Sequence, residues 1–143
     1  MTGGDNYFVI WISTALCATE ILDFALIKGA AMAPTQTFVD RDATDWVTID
    51  VLPGVTLLPL AQPVKDGSIH RARLAGGTVI PVHTHPADEY VMVLSGTVET
   101  GGRRCETGTF WITPAGTRQG PHVAITDVEV LTVRLGAMGS FGE

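Results

Sequence analysis

Short apolar stretches separated by turn residues follow one another from residue 35 to the end of the chain. Within many of them hydrophobic and polar residues alternate, which is typical of strands that bury one face. Turn signals such as Pro53-Gly54 and Gly101-Gly102 recur at a spacing typical of sandwiches and barrels. Since no strand–helix–strand alternation is visible, the pattern predicts an all-β domain. The predicted strands are residues 46–51, 55–60, 69–74, 78–83, 89–94, 97–100, 109–112, 122–125 and 129–135.

The N-terminal residues lack this alternating pattern, which predicts an extension or arm at 1–33 and a β-barrel domain at 34–143. Residues 7–18 form an apolar run that is too short to span a bilayer. The first basic residue is Lys28, so no basic region precedes the run as it would in a signal peptide. Two interpretations remain open. The segment is an arm or helix that packs on the domain or on a second subunit, or it is an upstream extension and Met32 starts the domain.

Composition narrows the class of protein. A chain of 143 residues with 45% hydrophobic residues suits one domain with a real core. The net charge of −6 disfavours nucleic acid and anionic membranes as partners. Cys17 and Cys105 are far apart and neither belongs to a CxxC pair, so neither a disulfide framework nor a thiolate zinc site is predicted. We therefore expect a cytoplasmic protein.

The strongest chemical signal is the group His83, His85 and Glu89, which lie within seven residues. On a strand, residues two apart point to the same face, so both imidazoles can face the interior. The segment Pro86-Ala87-Asp88 predicts a turn, after which Glu89 opens the next strand beside them. Two imidazoles and one carboxylate on a divalent ion leave coordination positions open, as in non-haem Fe(II) oxygenases, and the set also suits Zn, Mn or Ni. Val91 and Val93 would continue the inward face and form an apolar lining beside the ligands.

The glycines and prolines around this group carry a resemblance to a known family. Gly77, His83, His85, Glu89 and Gly96 match the first cupin motif at every spacing. The second cupin motif is matched in part, by Gly108, Pro114 and Gly116. The resemblance covers roughly residues 46–135. It implies a double-stranded β-helix, the small cupin or jelly-roll barrel, which holds one metal ion inside and commonly forms a homodimer.

The fourth metal ligand is where the sequence departs from the cupin pattern. The position that the second motif gives to histidine holds Gln119, and a histidine occurs nearby at His122. If Gln119 keeps the family position, its amide oxygen binds the metal weakly or hydrogen-bonds to a metal-bound water. His122 is the better donor, but it reaches the interior only if Gly120-Pro121 makes the backbone irregular. The third alternative is a site of three ligands that uses neither.

Three functions follow from the resemblance. The chain is similar to single-domain cupins that include acetylacetone-cleaving and dihydroxyacetophenone-cleaving dioxygenases, which implies an Fe(II) dioxygenase of small dicarbonyl or hydroxyketone substrates. It also resembles the zinc cupin domain of anti-sigma factors, which implies a sensory or regulatory module. A metal-dependent isomerase or lyase is the third alternative.

Other polar residues are expected to have plain structural roles. We expect His70 to lie at the surface or at a pocket edge, since it has no ligand spacing. Arg71, Arg73 and Arg134 are expected to be solvated, with the alternative that one of them enters the barrel and binds an acidic substrate. Trp46 and Trp111 are expected in the core.

Overall fold

The described part of the chain is built of short β-strands, as the alternating pattern predicts. The computed structural model describes residues 35–40 and 42–141. The predicted N-terminal arm, together with Cys17 and Met32, lies outside the described residues. Among the described residues no helix occurs. The strands are β1 (Val47–Thr48), β2 (Val55–Ala61), β3 (Ser68–Leu74), β4 (Val79–Ile80), β5 (His83–Thr84), β6 (Glu89–Ser95), β7 (Thr97–Thr100), β8 (Arg103–Glu106), β9 (Phe110–Thr113), β10 (Arg118–Gln119), β11 (His122–Ala124), β12 (Val128–Arg134) and β13 (Ser140–Phe141).

These strands form three antiparallel sheets around one interior. The largest has six strands in the order β1-β2-β3-β12-β6-β9, and a second has four in the order β4-β11-β7-β8. The third is a three-stranded sheet, β10-β5-β13, in which β5 is central. Neighbours distant in sequence, such as β3 and β12, pair along their full length. This is the double-stranded β-helix that the cupin resemblance implied.

The core follows the two-residue period of the strands. Along β6 the side chains of Glu89, Val91 and Val93 are buried, and the wall of valines predicted beyond Glu89 is confirmed. Along β12 every second residue from Val128 to Arg134 is buried. The buried apolar residues form one cluster: Ile49, Val55, Ala72, Leu74, Val91, Val93, Val98, Cys105, Ala124, Val128 and Val130. The polar end of the same interior carries the histidines.

Several predicted elements differ from the observed ones. The strand predicted at 78–83 is two strands, because Pro81 has no N–H to contribute to a ladder and the backbone breaks between β4 and β5. β8, β10 and β13 were not predicted. β8 has a weak apolar signal since only Cys105 points inward, where it is 3% exposed and part of the core. β10 and β13 have two residues each, which is too short for any periodicity.

The outer face of the large sheet carries an ionic cluster that contains Arg71 and Arg73. Glu129 of β12 lies opposite Arg73 of β3 in the ladder and forms ion pairs with both Arg73 and Arg71. The Arg73 guanidinium lies over the Trp46 ring at 3.8 Å from its centroid. Trp46 is therefore only partly buried and lies outside the core where it was expected, while Trp111 packs against the core as predicted.

Candidate metal centre

His83, His85 and Glu89 converge at the junction of two sheets. His83 lies in β5, His85 directly follows that strand, and Glu89 is the first residue of β6, as predicted. Their exposures are 6%, 5% and 7%, and one ligand atom from each lies within 4.8 Å of those of the others. Two imidazoles and a carboxylate converging in a buried space fit a divalent metal ion. The structure thus brings together the three residues that the sequence grouped.

The bend between the ligands is anchored to the loop after β9 and to the residue that follows β12. The Asp88 carboxylate accepts a hydrogen bond from the Ala115 N–H at 2.8 Å, and the Asp88 carbonyl accepts one from Leu135 N–H at 3.0 Å. The Gly116 N–H in turn donates to the His85 carbonyl at 2.8 Å. The Asp88 side chain thus fixes the loop after β9. The positions of His85 and Glu89 are therefore set by backbone contacts on both sides.

His83 is oriented for coordination through Nε2. Its Nδ1 lies 2.8 Å from the Pro81 carbonyl oxygen, which can only accept, so Nδ1 carries the proton. Nε2 then holds the free lone pair, and a backbone carbonyl behind a metal-binding imidazole is a common arrangement. Burial lowers the His83 pKa from its usual value, which keeps the ring neutral and able to bind metal at neutral pH.

His85 is held differently. Its Nδ1 accepts a hydrogen bond from the Gly139 N–H at 3.1 Å, while its Nε2 lies 3.2 Å from Glu89 Oε2. In the neutral ring the Nε2 proton therefore points at the carboxylate. If His85 held a metal ion through Nε2, the ring proton would have to lie on Nδ1, which accepts the Gly139 N–H in the present arrangement. Coordination by His85 would then be coupled to the segment that leads into β13.

Glu89 is kept ionised by its neighbours. Burial alone would raise its pKa, but hydrogen bonds from His85 and Gln119, with the charge of Arg134, lower the Glu89 pKa to about 2. Gln119 Nε2 donates to Glu89 Oε1 at 2.9 Å. Arg134 Nη1 lies 4.0 Å from Glu89 Oε2. The carboxylate is therefore charged and oriented without a metal ion.

Gln119 and His122, the two alternatives for a fourth ligand, both border the cluster. Gln119 pairs with His83 across the β10–β5 ladder, and its Oε1 accepts a hydrogen bond from Thr113 Oγ1 at 2.7 Å. His122 lies outside the three-ligand group, with its ring centroid 5.2 Å from that of His83 and its Nδ1 2.7 Å from Thr100 Oγ1. Burial lowers the His122 pKa to about 4.

The backbone between these two residues is irregular, as expected. Gly120 has φ +89°, a conformation that favours glycine, and it separates β10 from β11. Gln119 and His122 are therefore both buried although they are three positions apart, at 9% and 8% exposure.

His70 and Arg134 are two further residues of the interior that the sequence pattern did not place at the metal centre. His70 was expected at the surface or at a pocket edge, and this was wrong: it is 9% exposed, with Nδ1 3.1 Å from Ser68 Oγ. Burial and then the charge of Arg134 lower the His70 pKa to about 4. Arg134 is 8% exposed, so one arginine does enter the barrel, while its binding of an acidic substrate stays a prediction. The alternation along β3 contained the signal, because Arg71 and Arg73 on the outer face place His70 inward.

A small antiparallel barrel with histidines and a carboxylate converging in its interior defines a cupin. The sequence matches the ChrR cupin-like domain family over residues 34–139, and the chain belongs to that family. Among curated proteins none matches the chain. The described residues form no helix that is long and apolar enough to cross a membrane.

Solved structures share the fold at low sequence identity. Acetylacetone dioxygenase from Acinetobacter johnsonii aligns with a TM-score of 0.67 and 13% identity, over 80% of this chain and 83% of that one. KdgF from Halomonas sp. aligns with a TM-score of 0.58 and 26% identity, over 70% and 94%. The complex of Rhodobacter sphaeroides SigE with the anti-sigma ChrR aligns with a TM-score of 0.57 and 22% identity. That match covers 66% of this chain and 50% of the other.

Proposed function

We propose that the protein is a non-haem Fe(II) dioxygenase that acts on a small dicarbonyl or hydroxyketone substrate, with His83, His85 and Glu89 as the metal ligands. The observation that carries the proposal is the buried convergence of these three donors within 4.8 Å. Three protein ligands leave adjacent coordination positions open, which suits catalysis more than a closed structural site. Zinc, manganese and nickel fit the same donor set.

The chain's own residues prepare the site in three ways. Gln119 and Arg134 hold the Glu89 carboxylate ionised and oriented, and Pro81 fixes the His83 ring. Val91 and Val93 line the interior beyond Glu89 and exclude water, with exposures of 4% and 1%. A bound metal ion would supply Lewis acidity toward substrate oxygens. The fold shared with acetylacetone dioxygenase supports the substrate class by analogy, since fold alone does not give function.

Oxygen uptake by Fe(II)-loaded protein with a panel of β-diketones and hydroxyketones tests the proposal. We expect uptake that depends on substrate and is abolished in His83→Ala. The matched control Arg104→Ala changes an exposed residue of β8 and should behave as the wild type. Uptake that does not exceed the His83→Ala background with any member of the panel contradicts the dioxygenase.

A zinc-binding sensory or regulatory module is the second candidate, and membership of the ChrR cupin-like family favours it. The same three donors would serve it, so metal identity separates the two functions. Tight zinc in protein purified without chelators, together with no oxygen uptake after iron loading, would favour the module. Iron or manganese would favour redox chemistry. A non-redox isomerase or lyase is distinguished by product formation under argon, because it needs no oxygen.

We also propose a homodimer, with residues 1–33 as an extension outside the barrel domain at 34–143. The apolar run at residues 7–18 supports this, because such a surface is poorly accommodated in water. Gel filtration of the full chain against a chain that starts at Met32 tests the arm. An unchanged apparent mass would remove the arm from the interface.

A further inference from the structure

Arg134 is the one charged partner that the interior gives to Glu89 among the described residues. The two residues lie opposite each other in the β12–β6 ladder. The Arg134 guanidinium nevertheless stops 4.0 Å from the carboxylate, which is beyond hydrogen-bond distance. Burial of a guanidinium without a direct carboxylate partner costs free energy. A bound anion would offset this cost.

The hydrogen bonds of Arg134 leave most of its capacity unused. A guanidinium has five N–H donors in a planar fork. Nε donates to the Gly136 carbonyl at 3.2 Å, and Nη1 contacts Met138 Sδ, a weak acceptor, at 3.6 Å. Within the described part of the chain, no fully buried side-chain nitrogen or oxygen lacks a hydrogen-bond partner. Nη2 makes neither of these contacts and therefore keeps some exposure to solvent, and Met138, 43% exposed, lies beside the guanidinium.

The net charge of the interior also favours an anionic ligand. Without metal, the charges of Glu89 and Arg134 cancel. A divalent ion held by Glu89 would leave the loaded site with two unbalanced positive charges. An anionic ligand balances such a site, and a buried site of this kind selects for it strongly.

We propose that Arg134 binds a carboxylate of the substrate, which makes the substrate class a dicarbonyl or hydroxyketone acid rather than a neutral ketone. The inference rests on the metal centre of the proposed function. The ketone oxygens would occupy the open metal positions, while the carboxylate meets the free edge of the guanidinium, the geometry in which arginine binds carboxylates best.

Calorimetric titration of Zn(II)-loaded protein with two matched compounds tests this. Acetylpyruvate and acetylacetone share the β-diketone and differ in a carboxylate that replaces one methyl group. We expect acetylpyruvate to bind roughly 10- to 100-fold tighter, the usual contribution of a charge-assisted hydrogen-bonded pair. Zinc does not turn over with oxygen, so binding is measured separately from the reaction.

Variants separate Arg134 from the general attraction of an anion to the metal. In Arg134→Gln we expect the ratio of the two affinities, acetylpyruvate to acetylacetone, to fall to about 1, whatever the absolute affinities become. Arg134→Met removes the same charge and fills similar space, so it decides the question should the glutamine variant misfold. Arg104→Gln, the same change at an exposed position, should keep the preference.

The outcomes are distinguishable. Equal affinity for the two compounds in the wild type, or an unchanged preference in a folded Arg134 variant, overturns the inference. A wild-type protein that holds no metal overturns this inference and the proposed function together. A clear preference for acetylpyruvate without oxygen uptake in iron-loaded protein supports the carboxylate site and contradicts only the dioxygenase.

Discussion

Gln119 Nε2 donates a hydrogen bond to Glu89 Oε1 at 2.9 Å, from the position that the cupin pattern gives to a metal-binding histidine. The other end of the same amide is also engaged, since Gln119 Oε1 accepts a hydrogen bond from Thr113 at 2.7 Å. With both ends of the amide occupied, we infer that Gln119 positions the carboxylate ligand instead of binding the metal itself. The departure from the family pattern thus has a physical role.

Replacing Gln119 with alanine should weaken metal binding without abolishing it. The variant loses the hydrogen bond that orients Glu89, and the loss of such an outer contact typically costs 10- to 100-fold in metal affinity. Competition titration of zinc with a chromogenic chelator measures this. Glu89→Ala, which removes a ligand, is the reference for complete loss. An affinity for Gln119→Ala as low as that of Glu89→Ala would show that Gln119 is itself a ligand.

Metal binding should loosen the C-terminal segment. The Gly139 N–H donates to His85 Nδ1, and coordination through Nε2 converts Nδ1 from an acceptor to a donor. The Gly139 amide then loses its acceptor, and β13 beside it pairs with β5 through only two residue pairs. We expect faster amide hydrogen exchange in residues 137–141 of zinc-loaded protein than of metal-free protein.

The exchange experiment has an internal control. β8 and its partner β7 lie in the four-stranded sheet, away from β13, and their amides should exchange at the same rate in the zinc-loaded and the metal-free protein. Slower exchange at Gly139 on zinc loading, or no change, would mean that His85 binds the metal without altering this contact.

The metal-free protein should lose stability as the pH falls from about 6.5 to about 4. His70 is buried, and its pKa is lowered from 6.5 to about 4, so in this window the unfolded state binds more protons than the folded state. The free energy of unfolding therefore rises with pH, by about 3 kcal/mol for such a group. His122 acts with the same sign.

Urea unfolding of chelator-treated protein across this pH range measures the slope. In His70→Asn, whose amide can still meet Ser68, we expect a shallower dependence on pH. Lys65→Gln, at an exposed position, is the matched control and should keep the wild-type slope. An identical slope in His70→Asn would show that His70 does not titrate between the two states.

Much of the fold and three residues of the site could be predicted because they depend on local sequence. The spacing of His83, His85 and Glu89 fixes which face each occupies once the strands and the bend are placed. Gly77 and Gly96, both with positive φ, mark the two ends of the segment that carries these three residues. Gly96 has a further reason, since an added Cβ would lie 2.0 Å from the Asp127 carbonyl oxygen.

The remaining site residues depend on pairing between distant strands. Arg134 meets Glu89 only because β12 lies beside β6, and the sequence of β12 alone does not say which face is buried. Similarly, Gly139 reaches His85 through β13, a strand too short to show a period. His70 could have been placed inward from the outward Arg71 and Arg73, but its partners in the interior could not.

The most direct test of the metal centre is elemental analysis of protein purified without chelators or a metal-affinity tag. We expect about one divalent ion per chain in the wild type, as a mononuclear site requires. We expect loss of the ion in His83→Ala and Glu89→Ala, and retention in the control His70→Asn. A wild-type protein without metal under these conditions, or a His83→Ala variant that holds as much metal as the wild type, would contradict the proposed metal centre.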